Sequence, residues 1–286
     1  MSLRIGVMHT LPAVEGTDQA EAAKFMNSLI RKNMDMVKSE GTEVTFQFPR
    51  LGLDGFGAFQ YAYMNTLNEM QTLYGYMEMD QSGDFDALIG WCFYDPAARE
   101  GRQAVSLPIV FPAECCMKFA SMMAPKFGVV TTNVKTQWVV DDLAKKYNAG
   151  DQYVGSIGIP CCFEDQIKAQ TDIQPTIDAF TIAARELIAK GAEVIIPGCM
   201  LADTCLRLAP GCEEQYPNGV TDIDGVPILN VTAVTLKMAE MMATFNKTQT
   251  PYISKSLYYK SAHDDPESEK EAARIMKYTG PGFWRD

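Results

Sequence analysis

Two of the eight cysteines in this 286-residue chain, Cys92 and Cys199, stand where a thiol can do chemistry. Each closes a short apolar run, Asp84-Phe-Asp-Ala-Leu-Ile-Gly-Trp-Cys92 and Lys190-Gly-Ala-Glu-Val-Ile-Ile-Pro-Gly-Cys199, and each run reads as a buried strand. In an open parallel sheet the carboxyl ends of the strands face the ligand crevice, so both thiols are expected at such a crevice. A thiolate removes a proton and a thiol returns one. Two of them on opposite faces of one carbon would therefore exchange its hydrogen and invert the centre. A free thiol titrates at about 8.5, so helices opening just after Cys92 and Cys199 are expected to assist ionisation through their N-termini. Asp95-Pro96 reads as such an opening, with Asp95 as cap.

The elements that must carry these thiols alternate. Strands are predicted at Ile5–His9, Glu43–Phe48, Phe85–Gly90, Pro108–Phe111, Phe127–Thr131, Tyr153–Ile157 and Ala192–Ile196. Helices are predicted at Gln19–Ser39, Gly57–Met79, Ala113–Met123, Val134–Tyr147 and Pro175–Lys190, and a charged helix is predicted after His263. Strands separated by helices of this length indicate parallel β-α-β units. The chain also repeats itself. Arg4-Ile-Gly-Val-Met-His-Thr10 aligns with Lys126-Phe-Gly-Val-Val-Thr-Thr132 at an offset of 122. Leu107 to Ala124 aligns with Val226 to Ala243 at an offset of 119, with seven of eighteen positions identical. Near-equal offsets argue for duplication. The expected fold is α/β with two pseudo-symmetric lobes, each a parallel sheet flanked by helices, and the active site in the cleft between them. The first lobe takes 1–112 plus 226–286 and the second 113–225.

Composition narrows the partners. A net charge of −11 repels phosphate backbones and anionic headgroups, which excludes nucleic acid and membrane surfaces as partners. No apolar stretch approaches twenty residues, and the start lacks the apolar core of a secretory signal, so a cytoplasmic protein with reduced thiols is expected. The adjacent pairs Cys115-Cys116 and Cys161-Cys162 read as small buried hydrophobes, and Cys205 and Cys212 have only the distant His9 or His263 to complete a metal cluster. Neither a metal nor a cofactor is expected, and no P-loop, dinucleotide fingerprint or G-x-S-x-G elbow is present. The long helix rich in aromatics and methionines suits core packing or a homo-oligomer interface.

Three motifs carry a family resemblance: Cys92-Phe-Tyr-Asp-Pro-Ala-Ala-Arg-Glu100, Phe127-Gly-Val-Val-Thr-Thr132 and Gly191-Ala-Glu-Val-Ile-Ile-Pro-Gly-Cys199. Together they resemble the Asp/Glu/hydantoin racemase superfamily, and its hydantoin and allantoin branch best, from about residue 4 to 243. The resemblance implies a cofactor-independent racemase or epimerase with a catalytic cysteine in each lobe, Cys92 and Cys199, acting on a small-molecule carbon acid. Substrate-binding positions are then expected at His9 and Thr10, at Thr131 and Thr132, and beside the cysteines at Phe93 and Met200. Thr132 serves equally well as a turn or cap residue. Phe93 and Tyr94 replace the Asn-Thr that follows the first cysteine in amino-acid racemases, which disfavours free aspartate or glutamate. The Asn-Pro-Asn run near the start of many hydantoin racemases is replaced by His9-Thr-Leu-Pro12. Alternatives are a maleate-isomerase-like or arylmalonate-decarboxylase-like enzyme of the same fold, a cysteine hydrolase using His263, and a non-catalytic two-lobed binder.

Overall fold

The computed structural model describes residues 2–12, 18–53, 61–159, 172–261 and 264–279. In the first sheet β1 (Leu3–His9) lies between β2 (Thr42–Gln47) and β3 (Ala87–Trp91), with β4 (Ile109–Val110) outside β3, all parallel. In the second, β5 (Phe127–Thr131) lies between β6 (Tyr153–Gly158) and β7 (Val194–Pro197), again parallel. Every residue of β3, β5 and β7 is buried, as strands covered by helices on both faces must be. The helices are α1 (Asp18–Val37), α2 (Ala62–Ser82), α3 (Ala98–Ala104), α4 (Pro112–Met123), α5 (Val134–Lys146), α6 (Gln174–Ala189), α7 (Met200–Leu208), α8 (Cys212–Gln215), α9 (Val231–Lys247) and α10 (Pro266–Thr279). A hairpin of β8 (Asp222–Ile223) and β9 (Val226–Pro227) precedes α9. No helix among the described residues is long and apolar enough to cross a membrane.

The duplication shows in the strand order. Ile228 makes one parallel bridge to Ile195, so the second sheet reads β6-β5-β7-Ile228 where the first reads β2-β1-β3-β4. The offset of 119 maps Ile109 of β4 onto Ile228. The helix that follows each of these edges, α4 and α9, packs against the other, and each also reaches across: α4 touches β5 and β7, and α9 touches β1 and β3. At their contact Cys116 is hydrogen-bonded to Thr235, its own counterpart at that offset. Contact between equivalent positions is the mark of a twofold relation.

A buried carboxylate stands just past each cysteine and holds the N-terminus of one of these helices. Asp95 accepts from the amides of Ala113 and Glu114 at the start of α4, both at 2.9 Å. Asp203 accepts from the amides of Val231 (3.1 Å) and Thr232 (3.0 Å) at the start of α9, and pairs with Arg207 at 3.2 Å. Orphan helix amides are thereby satisfied where water is excluded. This corrects the reading of Asp95 as cap of the helix after Cys92: its φ is +48°, that helix opens only at Ala98, and the carboxylate reaches α4 instead. The aromatic helix also differs from expectation. It continues to Ser82 and stops where Gly83, at φ 72°, takes the left-handed conformation. Its predicted start, at 57–60, lies outside the described residues.

Two stability predictions follow from these caps. Asp203→Ala leaves two helix amides unpartnered in the core and leaves the Arg207 guanidinium without its carboxylate, with only the Ile228 carbonyl at 3.4 Å to receive it, and should cost about 3–5 kcal/mol in urea unfolding; a loss under about 1 kcal/mol would show that the cap is dispensable. Burial pushes the Asp95 carboxyl up to about 7, so the native state takes that proton before the unfolded chain does. Its contribution is complete below the unfolded value of about 3.9 and is lost as pH rises through about 7. Asp95→Asn should flatten the decline in unfolding free energy between about pH 4 and 7 relative to the parent, and an unchanged slope would refute the assignment.

Candidate active site

Cys92 follows the last residue of β3, and Cys199 stands two residues beyond the end of β7, equivalent places in the two sheets. Two glycines make these exits possible. A Cβ on Gly90 would fall 2.5 Å from the Tyr76 hydroxyl oxygen, and one on Gly198 would fall 2.8 Å from a Val129 methyl. Of the six described cysteines, Cys92 and Cys199 are partly exposed, while Cys115, Cys116, Cys205 and Cys212 are buried. Cys161, Cys162 and His263 lie outside the described residues.

The two thiols are held differently. Cys199 is the N-cap residue of α7, at the positive end of a helix dipole. Cys92 has no such helix beside it, because a tight loop intervenes in which Asp95 and Ala97 both adopt positive φ. For Ala97, at φ 51°, that conformation is strained, and strain of this kind collects at functional sites. The Cys92 sulfur receives hydrogen bonds from the Tyr94 amide and the Thr10 hydroxyl, yet burial pushes it up to about 12, with the carboxylates of Asp95 and Glu69 adding to the rise. The expected lowering is therefore overturned at Cys92: desolvation outweighs two donors when no helix N-terminus is present.

The loop after Cys92 is anchored on every side. Tyr76 donates to the Pro96 carbonyl at 3.2 Å. Tyr147, just past α5, donates to Asp95 at 2.7 Å, and the Tyr94 hydroxyl meets the Thr132 hydroxyl at 2.9 Å. The last two bonds join the end of β3 to the segment carrying β5. Burial raises the Tyr94 phenol well above its ordinary range, and negative charge on either Cys199 or Cys92 would raise it further, so the phenol lies within electrostatic reach of both sulfurs.

The remaining expected positions divide. Thr10 touches Cys92, and Thr131 and Thr132 are buried at the end of β5 with both hydroxyls on Thr136, at 3.2 and 3.4 Å. His9 pairs with Trp91 in the sheet and accepts the Leu11 amide at Nδ1 (3.1 Å). Burial lowers it to about 4, so its imidazole is neutral at pH 7. Phe93 and Met200 are core side chains, 2% and 4% exposed. Tyr94 stood out in the sequence only as a departure from the Asn-Thr of amino-acid racemases, and Thr136, Tyr147 and Glu69 were not singled out. The capping pattern Asn133-x-x-Thr136 was the one signal available for these last three, and it speaks only of a helix start.

Comparison with known proteins agrees with this architecture. The family model described as Asp/Glu/Hydantoin racemase matches residues 55–239. A hydantoin racemase of Rhizobium meliloti is 29% identical over 162 residues, 55% of this chain and 60% of that protein, so the match spans less than two thirds of the relative. Among solved structures, an allantoin racemase from Pseudomonas fluorescens superposes with a TM-score of 0.69 at 18% identity, covering 91% of this chain and 97% of the other. The allantoin racemase from Klebsiella pneumoniae gives 0.67 at 21% identity, covering 90% and 93%. With two duplicated parallel sheets, a cysteine just beyond the equivalent strand of each, and a family model that matches more than half of the chain, this protein belongs to the Asp/Glu/hydantoin racemase family.

Proposed function

We propose that the protein is a cofactor-independent racemase that inverts a carbon-acid stereocentre in a hydantoin-like ring, with Cys92 and Cys199 as the two proton-transfer groups. One observation carries the reading: the two cysteines at equivalent strand ends are the two of the six described that are not buried. One sulfur, as thiolate, takes the hydrogen on its side; an S–H bond forms, the C–H bond breaks and the electron pair moves into the adjacent carbonyl. The other sulfur delivers its hydrogen to the opposite face, the carbonyl re-forms, and the pair of thiols is left with its roles exchanged.

The substrate class rests on charge. The carboxylates of Asp95 and Glu69 both act against further negative charge at the Cys92 sulfur. A neutral ring amide suits that field better than a free amino dicarboxylate. The names of the relatives, hydantoin racemase and allantoin racemase, point the same way. Two accessible thiols favour this reading over a decarboxylase, which needs one. The hydrolase reading uses His263 as its imidazole base, which lies outside the described residues; the other histidine, His9, is a weak base, lowered to about 4. We keep the lobes as 1–112 plus 226–286 and 113–225, in line with α9 packing on β1 and β3, and take the protein as a cytoplasmic homo-oligomer acting on a small molecule.

Cys92→Ala and Cys199→Ala should each lower inversion about 10³-fold or more in a chiral assay over 5-substituted hydantoins, allantoin, acidic amino acids and maleate. In heavy water the parent should place deuterium at the inverted carbon. Each single variant should retain some exchange at the enantiomer whose hydrogen faces the surviving sulfur, without inversion. Inversion without deuterium uptake, or full activity in either variant, would sink the two-thiol reading.

A further inference from the structure

The loop that carries Cys92 holds a third polar group whose place the two-thiol scheme does not use. Tyr94 is two residues past the cysteine and only partly buried. Its hydroxyl reaches Thr132, at the end of the strand that pairs with β7, the strand that runs on to Cys199.

The direction of the hydrogens in this cluster can be worked out. A hydroxyl has one hydrogen to give and two lone pairs to receive. Thr136 gives its hydrogen to the Asn133 carbonyl at 2.8 Å and receives the Asn133 amide at 3.2 Å. Its second lone pair is nearer to Thr131, at 3.2 Å, than to Thr132, at 3.4 Å. Tyr94 is hydrogen-bonded to both Thr132, at 2.9 Å, and Thr136, and either hydroxyl of the Tyr94–Thr132 pair can be the donor; with Thr132 as the donor, the phenolic hydrogen is left for a further acceptor. The phenol keeps that hydrogen throughout the working pH range, because burial holds it neutral.

We propose that Tyr94 is a further catalytic group, which donates its phenolic hydrogen to the substrate carbonyl oxygen that becomes negative when the α-hydrogen leaves. The proposal rests on the racemase reading above. When the thiolate takes the α-hydrogen, the electron pair of the broken C–H bond becomes the C=C bond of an enolate and the former carbonyl oxygen takes the charge. A fixed neutral donor at that oxygen stabilises the enolate more than the uncharged ring, and it is idle again once the second thiol has protonated the carbon. The phenol itself is neither oxidised nor deprotonated. Its place within reach of both sulfurs lets one donor serve removal of the hydrogen from either face, since both routes pass through the same planar enolate.

The test is steady-state inversion of a 5-monosubstituted hydantoin by the full chain carrying Tyr94→Phe, with deuterium wash-in at the ring carbon measured in parallel. We expect kcat and wash-in to fall together by about 10²-fold, KM to stay within about threefold, and the shape of the pH profile to be unchanged. Thr132→Val should lower kcat by a smaller factor, and Thr132→Ser should restore it. A merely structural tie between the lobes would instead move the melting temperature, or KM alone, and either result without the drop in kcat overturns the proposal. So does a kcat within about twofold of the parent. An unsubstituted chain that neither inverts nor exchanges any hydantoin overturns both this proposal and the reading beneath it.

Discussion

Desolvation of the Cys92 sulfur is the constraint around which the rest of the site is arranged. A partly exposed thiol whose sulfur is largely desolvated at a strand end resists ionisation, here up to about 12, and two hydrogen bonds from Tyr94 and Thr10 do not offset that resistance. The same exclusion of water strengthens each dipole aimed into the site. The loop that follows Cys92 is held by Asp95 on the start of α4 and on Tyr147, by Tyr76 on Pro96 and by Tyr94 on Thr132. Dense anchoring is what allows Ala97 to remain in a left-handed conformation.

The two halves share this plan but not its details. Asp95 and Asp203 follow their cysteines at similar distances and each caps the helix leaving the far edge of its sheet. Those helices pack on one another across the twofold relation, so the two caps stand at the ends of one shared contact. Asp203 is backed by a buried guanidinium, whereas Asp95 is backed by a phenol, and burial has shifted Asp95 towards neutral pH. Equivalent positions have thus kept their geometry while their electrostatics diverged.

Much of this was legible in the residues. Apolar runs of four to seven residues between amphipathic helices marked the parallel sheets, and the offsets of 122 and 119 announced the duplication before any coordinates. The positions of Cys92 and Cys199 at strand ends followed from the same pattern. The sign of the shift at Cys92 was not legible, because it turns on a six-residue loop before α3 whose left-handed turns at Asp95 and Ala97 carry no glycine to reveal them. Asp95 was misread for a similar reason: Asp-Pro is a good local helix start, and the carboxylate's true partners lie 18 and 19 residues further on. The links from Tyr94 to Thr132 and from Tyr147 to Asp95 span 38 and 52 residues, so local spacing had no means to foretell them.

The inequality of the two sulfurs bears on how an inverting catalyst distributes its work. Mirror-image forms have equal free energy in water, so no protein can favour one of them at equilibrium, and the specificity constants for the two directions must be equal at every pH. In the proposed mechanism, a sulfur raised by desolvation works with one that caps a helix, and their unlike surroundings make the two resting protonation isomers unequal in population. On the proposed reading that imbalance can surface only in turnover and half-saturation taken separately, each differing between the enantiomers by the same factor, so that the left- and right-handed substrates saturate the protein at different concentrations while their quotients remain identical.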